Sequence, residues 1–392
     1  MTEKDATVLI AGGGIGGMTA ALCLAKQGYQ VVVFEQAEFA ERGAGIQLSP
    51  NCTRVLHDLG LESQLREAAF VPLATQMRDW RTGKVLASSP LGDEVRRRYG
   101  FPYYHMHRAD LLRVLVDAAR ESTLITLHAH AEVQGVTQAG ETVSLRTMTG
   151  EHYGSVLVGA DGIHSVVRAS LFGEDRPRFT GNVAWRGLVD ASKLPRDLVQ
   201  PVAALWWGPN KHFVHYYVRR GELVNCVCVV EKAGWEIESW NTRGDLAELK
   251  RDFAGWDETI QVLVDNMIPD ACFKWALFDR DPMKQWSRGR ITLLGDACHP
   301  TLPFMAQGAA MAIEDAAVLS RCLATAGSVE AGLQRYGSLR VRRTARIQMG
   351  SRRNAKVYHM SGAQAWLRNR AINWGARSVM AGLFRYDALS VR

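Results

Sequence analysis

The chain has 392 residues, enough for two or three units of ordinary domain size around a large buried core. Hydrophobic residues make up 47% and charged residues 22%, a balance that excludes a disordered or collagen-like chain. The net charge of +7 comes from 47 basic against 40 acidic residues; with no compact basic helix or nucleic-acid module, it points to anionic small molecules instead of nucleic acid.

Thr7–Ala11 reads as a buried parallel strand, followed by Gly12-Gly13-Gly14-Ile15-Gly16-Gly17 and a helical pattern that stops at Gly28. Residues 31–34 form a second apolar strand that delivers Glu35. This is G-x-G-x-x-G between strand and helix with an acid roughly 20 residues on, the context a dinucleotide site requires. Gly12 permits the tight turn, Gly14 lets backbone approach a pyrophosphate, and Gly17 brings helix and strand close. Helix-start N–H groups would hold the phosphates while Glu35 accepts from a ribose hydroxyl. The stretch alone leaves NAD and FAD both open.

Residues 41–46 form a glycine-rich turn carrying Arg42, and a short helix is expected over 50–59. Between Phe70 and Gly100 short alternating segments suggest a first excursion into an antiparallel sheet. His107-Arg108-Ala109-Asp110 opens an amphipathic helix, and short strands follow over 124–145. Residues 155–160 read as another buried parallel strand, ending at Asp161-Gly162. Alternation is strongest over 181–275, the main antiparallel sheet of a second unit. Residues 291–294 return to the parallel type and end at Gly295-Asp296, with a helix over 307–319. The rest is helical. Its basic amphipathic tail, 364–384, lacks a clean polar face and is expected to pack across the cofactor domain instead of lying on a membrane. The seven cysteines contain no C-x-x-C, which favours buried thiols over disulfides or zinc, so no metal site is expected. The short stretch before the first strand leaves no room for a signal peptide, and no uncharged apolar run reaches spanning length. A cytoplasmic protein without stable membrane or nucleic-acid association is expected.

Three motifs, Gly12 to Gly17, Asp161-Gly162 and Gly295-Asp296, thus close three parallel strands, where α/β sheets bind ligands. In this order and spacing the chain resembles the single-component, class A flavoprotein aromatic hydroxylases, among them the hydroxynicotinate, hydroxybenzoate and salicylate hydroxylases. Trp286-Ser-Arg-Gly-Arg290, Leu294-Gly-Asp-Ala-Cys-His-Pro300 and Met311-Ala-Ile-Glu-Asp-Ala316 carry the likeness, which runs from the first strand to about residue 345. It implies an α/β fold like that of p-hydroxybenzoate hydroxylase: a Rossmann-like FAD-binding domain interrupted by a smaller α+β substrate domain with an antiparallel sheet, plus C-terminal helices. The expected boundaries are 1–70, 101–178 and 282–345 for the FAD-binding domain, 71–100 and 179–281 for the substrate domain, and 346–392 for the helical segment.

By the same resemblance, Gly12, Gly14, Gly17 and Glu35 would hold the ADP half of FAD, with Arg42 and Arg108 near its phosphates or ribityl chain. Asp296 would accept from the ribityl chain, Pro300 would border the flavin, and Asp161 and Gly162 would serve FAD and the nicotinamide donor. The helix start at Gln307-Gly308 would set its dipole against the anionic flavin edge. Many relatives carry glycine where this chain has Ala306. One dinucleotide fingerprint implies that NADH or NADPH binds only transiently. The implied reaction passes through a flavin C4a-hydroperoxide to a phenolic aromatic acid of the hydroxybenzoate or hydroxynicotinate type. The partners would be that substrate, O2 and NAD(P)H, with a homodimer left open.

Deprotonating a ring hydroxyl activates its ortho and para carbons, a task for a base. Alternation on 211–217 puts His212, Val214 and Tyr216 on one face and Phe213, His215 and Tyr217 on the other. The first set coincides with the histidine and tyrosine that line the pocket in the hydroxylases the chain resembles, so the resemblance makes His212 and Tyr216 the expected catalytic pair, with His215 in reserve and His299 structural. Gln47, Tyr103, His212, Tyr216 and Phe304 are the expected substrate contacts, with Tyr104 a further wall. Gln47 and Phe304 replace histidines of the hydroxynicotinate type, which favours a carbocyclic phenol. The alternatives are an epoxidase or tailoring oxygenase of the same fold acting on a larger ring in a pocket around Trp206, Trp207 and Phe304, and a flavin- or NAD-binding protein without oxygenase turnover.

Overall fold

The computed structural model describes residues 6–40, 43–232, 234 and 242–391, with the side chains of 373–379 left out. A six-stranded sheet runs in the order Ser287–Arg288, Ile291–Leu293, Val156–Gly159, Thr7–Ala11, Gln30–Phe34, Ile125–His128. All its pairings are parallel except that of the edge strand Ser287–Arg288. Its central strands are β-branched and buried on both faces, as a sheet covered by helices demands. The helices Ile15–Lys26 and Gly308–Thr325 pack against each other above it. Small residues permit that approach: a Cβ on Gly16 would stand 3.2 Å from Ala312 Cβ. Two further glycines are obligatory. Gly12 has φ +102°, and a Cβ on Gly17 would fall 1.9 Å from the Gly12 carbonyl oxygen.

A second, seven-stranded sheet has the order Phe273–Asp279, Arg178–Asp190, Leu223–Glu231, Lys211–Val218, Ala203–Gly208, Ala74–Asp79, Val85–Pro90. The expected antiparallel character holds except at one place: Ala74–Asp79 pairs parallel to Ala203–Gly208. More than a hundred residues separate these two strands, so no hairpin constrains their direction, whereas each adjacent pair joined by a tight turn must be antiparallel. A second difference lies at Ile125–His128, which joins the parallel sheet beside Gln30–Phe34 instead of the small three-stranded sheet formed by residues 135–154.

The chain closes with the helices Val329–Tyr358 and Gly362–Phe384. The last helix touches the cofactor domain, as expected, and also reaches the seven-stranded sheet. It packs on the strand Val85–Pro90 and the helix Pro50–Asp58, and Phe384 joins Leu91, Val95 and Tyr103 in one apolar cluster. Met380, Leu383 and Phe384 find apolar partners there, while Trp366 and Leu367 stay exposed. Among the described residues no helix is long and apolar enough to cross a membrane. All seven cysteines are free and buried.

Behind the helix Gly308–Thr325 lies a buried ionic network. Arg340 meets Asp315 at 2.6 Å and Glu314 at 2.8 Å, and Arg343 adds a second cation on Glu314 at 2.7 Å. His299 bonds the other oxygen of Asp315, and Asn51 donates to Glu314 at 2.6 Å. Burial pushes both carboxyls up, but the facing cations outweigh it and hold Glu314 and Asp315 below the usual carboxylate range. His299 is thus a structural partner, as expected.

Candidate active site

The two large sheets enclose one cavity of about 780 Å³. Its cofactor-side wall is made by the ends of the parallel strands: Gly12, Gly14, Glu35, Asp161, Gly162 and Asp296 all line it. Gly14 is the helix N-cap and has open space where a Cβ would be. No acidic residue occupies the first turn of that helix, so its N–H groups can meet an anion. Glu35 accepts from Gly13 N at 2.7 Å and Ala37 N at 3.1 Å, which fixes its carboxylate at the rim. Gly17 does not line the cavity; it lies behind Gly12 and sets the helix height. Arg108 lines the wall beside Gly43, and Arg42 falls outside the described residues.

Two of the lining residues have their side chains engaged within the protein. Asp161 accepts from Ser165 Oγ at 2.5 Å and Val167 N at 3.1 Å, so its carboxylate organises the start of the helix Val166–Phe172. Gln307 is buried, donating to Ser49 Oγ at 3.0 Å and accepting from Asn51 at 3.1 Å. Both shape the wall through backbone, and only Asp296 of the acidic pair presents an exposed carboxylate. Pro300 lines the cavity while its carbonyl accepts from Gln348 at 2.9 Å. Gly308 opens the helix Gly308–Thr325, whose first turn carries no acid, and its N-terminus faces the cavity.

Ala306, in the loop just before, sits in the left-handed region at φ +50°. An alanine there is strained, so Ala306→Gly should stabilise the protein by about 0.5–1 kcal/mol. A urea midpoint that does not rise would count against that strain.

The opposite wall comes from the seven-stranded sheet. His212, Val214 and Tyr216 line it, and Phe213, His215 and Tyr217 do not. His215 is buried on the far face, against Trp206 and Phe213, which removes it as the reserve base. Burial pushes the Tyr216 hydroxyl up, so it stays protonated. Tyr103 donates to Gln47 Oε1 at 2.6 Å, and Gln47 and Arg186 beside the Tyr216 hydroxyl offset part of that rise. Gln47 keeps its amide N–H groups to offer the Tyr216 oxygen, and a Tyr216 that accepts there has its own O–H to donate into the cavity. Tyr104 faces His57 instead, because neighbours on a strand point to opposite sides. Of the expected aromatic walls, Phe304 is present, its ring edge-on to His212 at 5.1 Å. Trp206 and Trp207 are not: Trp206 packs behind the sheet, and Trp207 stacks on Tyr358 beneath Arg368.

Burial and the neighbouring His359 hold His212 well below the ordinary histidine range, so it is neutral and can accept a proton. Several lining residues had no mark in the sequence. Arg186 stacks on Trp275 at 4.6 Å inside the cavity; an arginine within an apolar strand was its one signal. Tyr358, Met380 and Phe384 come from the last two helices and close the far side.

The FAD binding domain family matches residues 5–351. The chain belongs to that family. Among relatives, this FAD-binding chain is 40% identical to 3-amino-4-hydroxybenzoate 2-monooxygenase PtnB3 of Streptomyces platensis, over 98% of the chain and 97% of the relative. It is 39% identical to 3-hydroxybenzoate 6-hydroxylase of Polaromonas naphthalenivorans, covering 93% and 91%. It is 35% identical to 6-hydroxynicotinate 3-monooxygenase of Pseudomonas fluorescens, covering 99% and 97%. Its fold is similar to that of Klebsiella pneumoniae HpxO complexed with FAD and uric acid, with TM-score 0.86 and 26% identity over 98% and 97% of the two chains. The protein is an FAD-dependent monooxygenase of the aromatic-hydroxylase type. The open Gly14 cradle, the uncapped helix starts and the exposed Asp296 fit that cofactor.

Proposed function

We propose that this enzyme hydroxylates a carbocyclic phenolic acid of the hydroxybenzoate type, with NADH or NADPH as transient electron donor and O2 as co-substrate. The observation that carries this is the polarity of one strand. His212 offers an acceptor at one end of the cavity face and Tyr216 a donor at the other, with apolar Val214 between them. Residues four apart on a strand are about 13 Å apart at Cα, so inward-leaning side chains bracket a single ring with a polar group at each pole. Tyr216, oriented by Gln47 and Tyr103, suits the carboxylate pole, with the Arg186 guanidinium on the same wall. His212 suits the hydroxyl pole.

His212 takes the ring-hydroxyl proton, and the resulting phenolate is electron-rich at its ortho and para carbons. Met380, Phe384 and Phe304 keep water from that ring. Bound FAD supplies the activation of O2, with one oxygen atom passing to the ring and the other to water. Phe304 beside His212 offers a ring nitrogen no hydrogen bond, which supports a benzoate over a pyridine. A cavity of about 780 Å³ shared with the flavin favours one ring over a larger polycycle.

The test follows NADH oxidation and O2 uptake against hydroxybenzoates, hydroxypyridines and anthranilates, with product analysis of the best-coupled compound. Preference for a hydroxypyridine, or product from none of them, would overturn the reading. Gln47→Leu frees the Tyr216 hydroxyl from its orienting partner and should raise KM about 10- to 100-fold, the cost of one charged-group hydrogen bond. FAD content should not change. An unaltered KM would remove the Gln47–Tyr216 pair from substrate binding.

A further inference from the structure

The cavity histidine is the first of three residues that lead to solvent. His212 Nδ1 lies 2.8 Å from His359 Nε2, and His359 Nδ1 lies 2.7 Å from Glu231 Oε1. The two histidines are 2% and 5% exposed, whereas the Glu231 side chain is 47% exposed. Glu231 closes the strand Leu223–Glu231, and His359 sits in the break between the last two helices. Their backbones meet at one turn: Asn210 N donates to the His359 carbonyl at 3.2 Å, and Glu231 N donates to the Asn210 carbonyl at 2.9 Å.

The positions of the protons follow from the chemistry of the three groups. A carboxylate only accepts, so His359 carries its hydrogen on Nδ1. Neutral His359 then has its lone pair on Nε2, so His212 donates from Nδ1. That leaves His212 Nε2 as the bare nitrogen, the atom available to the cavity.

We propose that His212, His359 and Glu231 form a proton relay that carries the substrate's ring-hydroxyl proton from the closed cavity to solvent. The proposal rests on the reading of His212 as the base. The substrate O–H proton passes to His212 Nε2 as the His212 Nδ1 proton passes to His359 Nε2. The His359 Nδ1 proton passes to Glu231 Oε1 and then to water. Each imidazole loses one proton as it gains one, and the reverse passage restores both tautomers.

The relay resolves a conflict in the site. A histidine buried beside a second imidazole is a poor store for a proton, and holding positive charge in an apolar cavity is costly. Passing the proton on avoids storing it. The two charged groups beside His359 act in opposite directions. Arg368, which donates to the Val357 and Tyr358 carbonyls, disfavours a cationic His359, while Glu231 favours it and supplies the exit. Asp79 offsets part of the Arg368 charge. The Tyr358 hydroxyl donates to the Phe304 carbonyl at 2.9 Å and so stands outside the chain.

The test compares holoenzymes carrying Glu231→Gln, His359→Gln and His212→Ala, with 3-hydroxybenzoate and 3-amino-4-hydroxybenzoate as probes. In Glu231→Gln the side-chain amide can still accept from His359 but cannot take its proton, so the contact survives and the relay does not. Product formation near pH 7 should fall at least about 10-fold in Glu231→Gln and His359→Gln, a proton-transfer contribution at the low end of its usual range. It should recover as pH rises toward the phenol's own ionisation, and NADH oxidation without substrate should not change. A loss that does not recover at high pH marks a structural role and overturns the relay. Wild-type rates in both variants alongside loss in His212→Ala overturn the relay but leave the base. A wild-type rate in His212→Ala removes both. Nitrogen-15 histidine spectra of the holoenzyme give a check that needs no substrate: both His212 and His359 should be protonated on Nδ1, and an Nε2-protonated His212 would overturn the proposal.

Discussion

His212→Ala is expected to slow ring hydroxylation by about 10²- to 10⁴-fold, the usual worth of a positioned general base. His212 lines the cavity, is neutral, and has its Nδ1 committed to His359. His215, three residues on, is buried on the far face and cannot substitute. The cofactor-side wall is untouched by the change, so FAD should stay bound and NADH should still be consumed. The signature is therefore uncoupling: hydrogen peroxide rises as product falls. Product measured against NADH consumed decides the matter, and unchanged coupled turnover would sink the assignment.

Arg340→Ala is expected to cost about 3–5 kcal/mol of stability, because it leaves buried carboxylates without their main counter-charge. Glu314, Asp315 and Arg340 are all fully buried, so water cannot replace the lost partner. The network also fixes the helix Gly308–Thr325, whose first turn lines the cavity, so FAD retention should weaken with stability. Urea unfolding of the holoenzyme measures the first effect and flavin release the second. A loss below about 1 kcal/mol would mean that the site relaxes or hydrates. The pH dependence has a definite sign. Folded carboxyls held below their usual range contribute stability that is complete above the unfolded carboxyl range and is lost as pH falls through the lower, folded values. Wild type should therefore lose stability toward acid more steeply than Arg340→Ala.

The local features of the cofactor wall were legible because each is written in adjacent residues. Gly12, Gly14 and Gly17 carry their geometry in their own backbone, and strand ends at Asp161 and Asp296 follow from apolar runs of fixed length. Alternation alone separated His212, Val214 and Tyr216 from Phe213, His215 and Tyr217, since a strand has only two faces. What side chains do at those positions was less visible. The side chains of Asp161 and Gln307 satisfy polar groups within the protein, on partners that spacing does not reveal.

Contacts between distant segments were decided by the tertiary structure. His359 lies 147 residues from His212, and nothing near either one announces the other. The last helix, with its mixed polar and apolar faces, had no unique docking partner until the cluster of Leu91, Val95 and Tyr103 offered one. The parallel pairing of Ala74–Asp79 with Ala203–Gly208 likewise depends on a long crossover that leaves strand direction free. Local backbone demands are set by the residues that meet them, so a sequence states them directly. Long-range pairing is chosen by whichever arrangement buries apolar surface and satisfies buried polar groups together, and only the folded chain carries that choice.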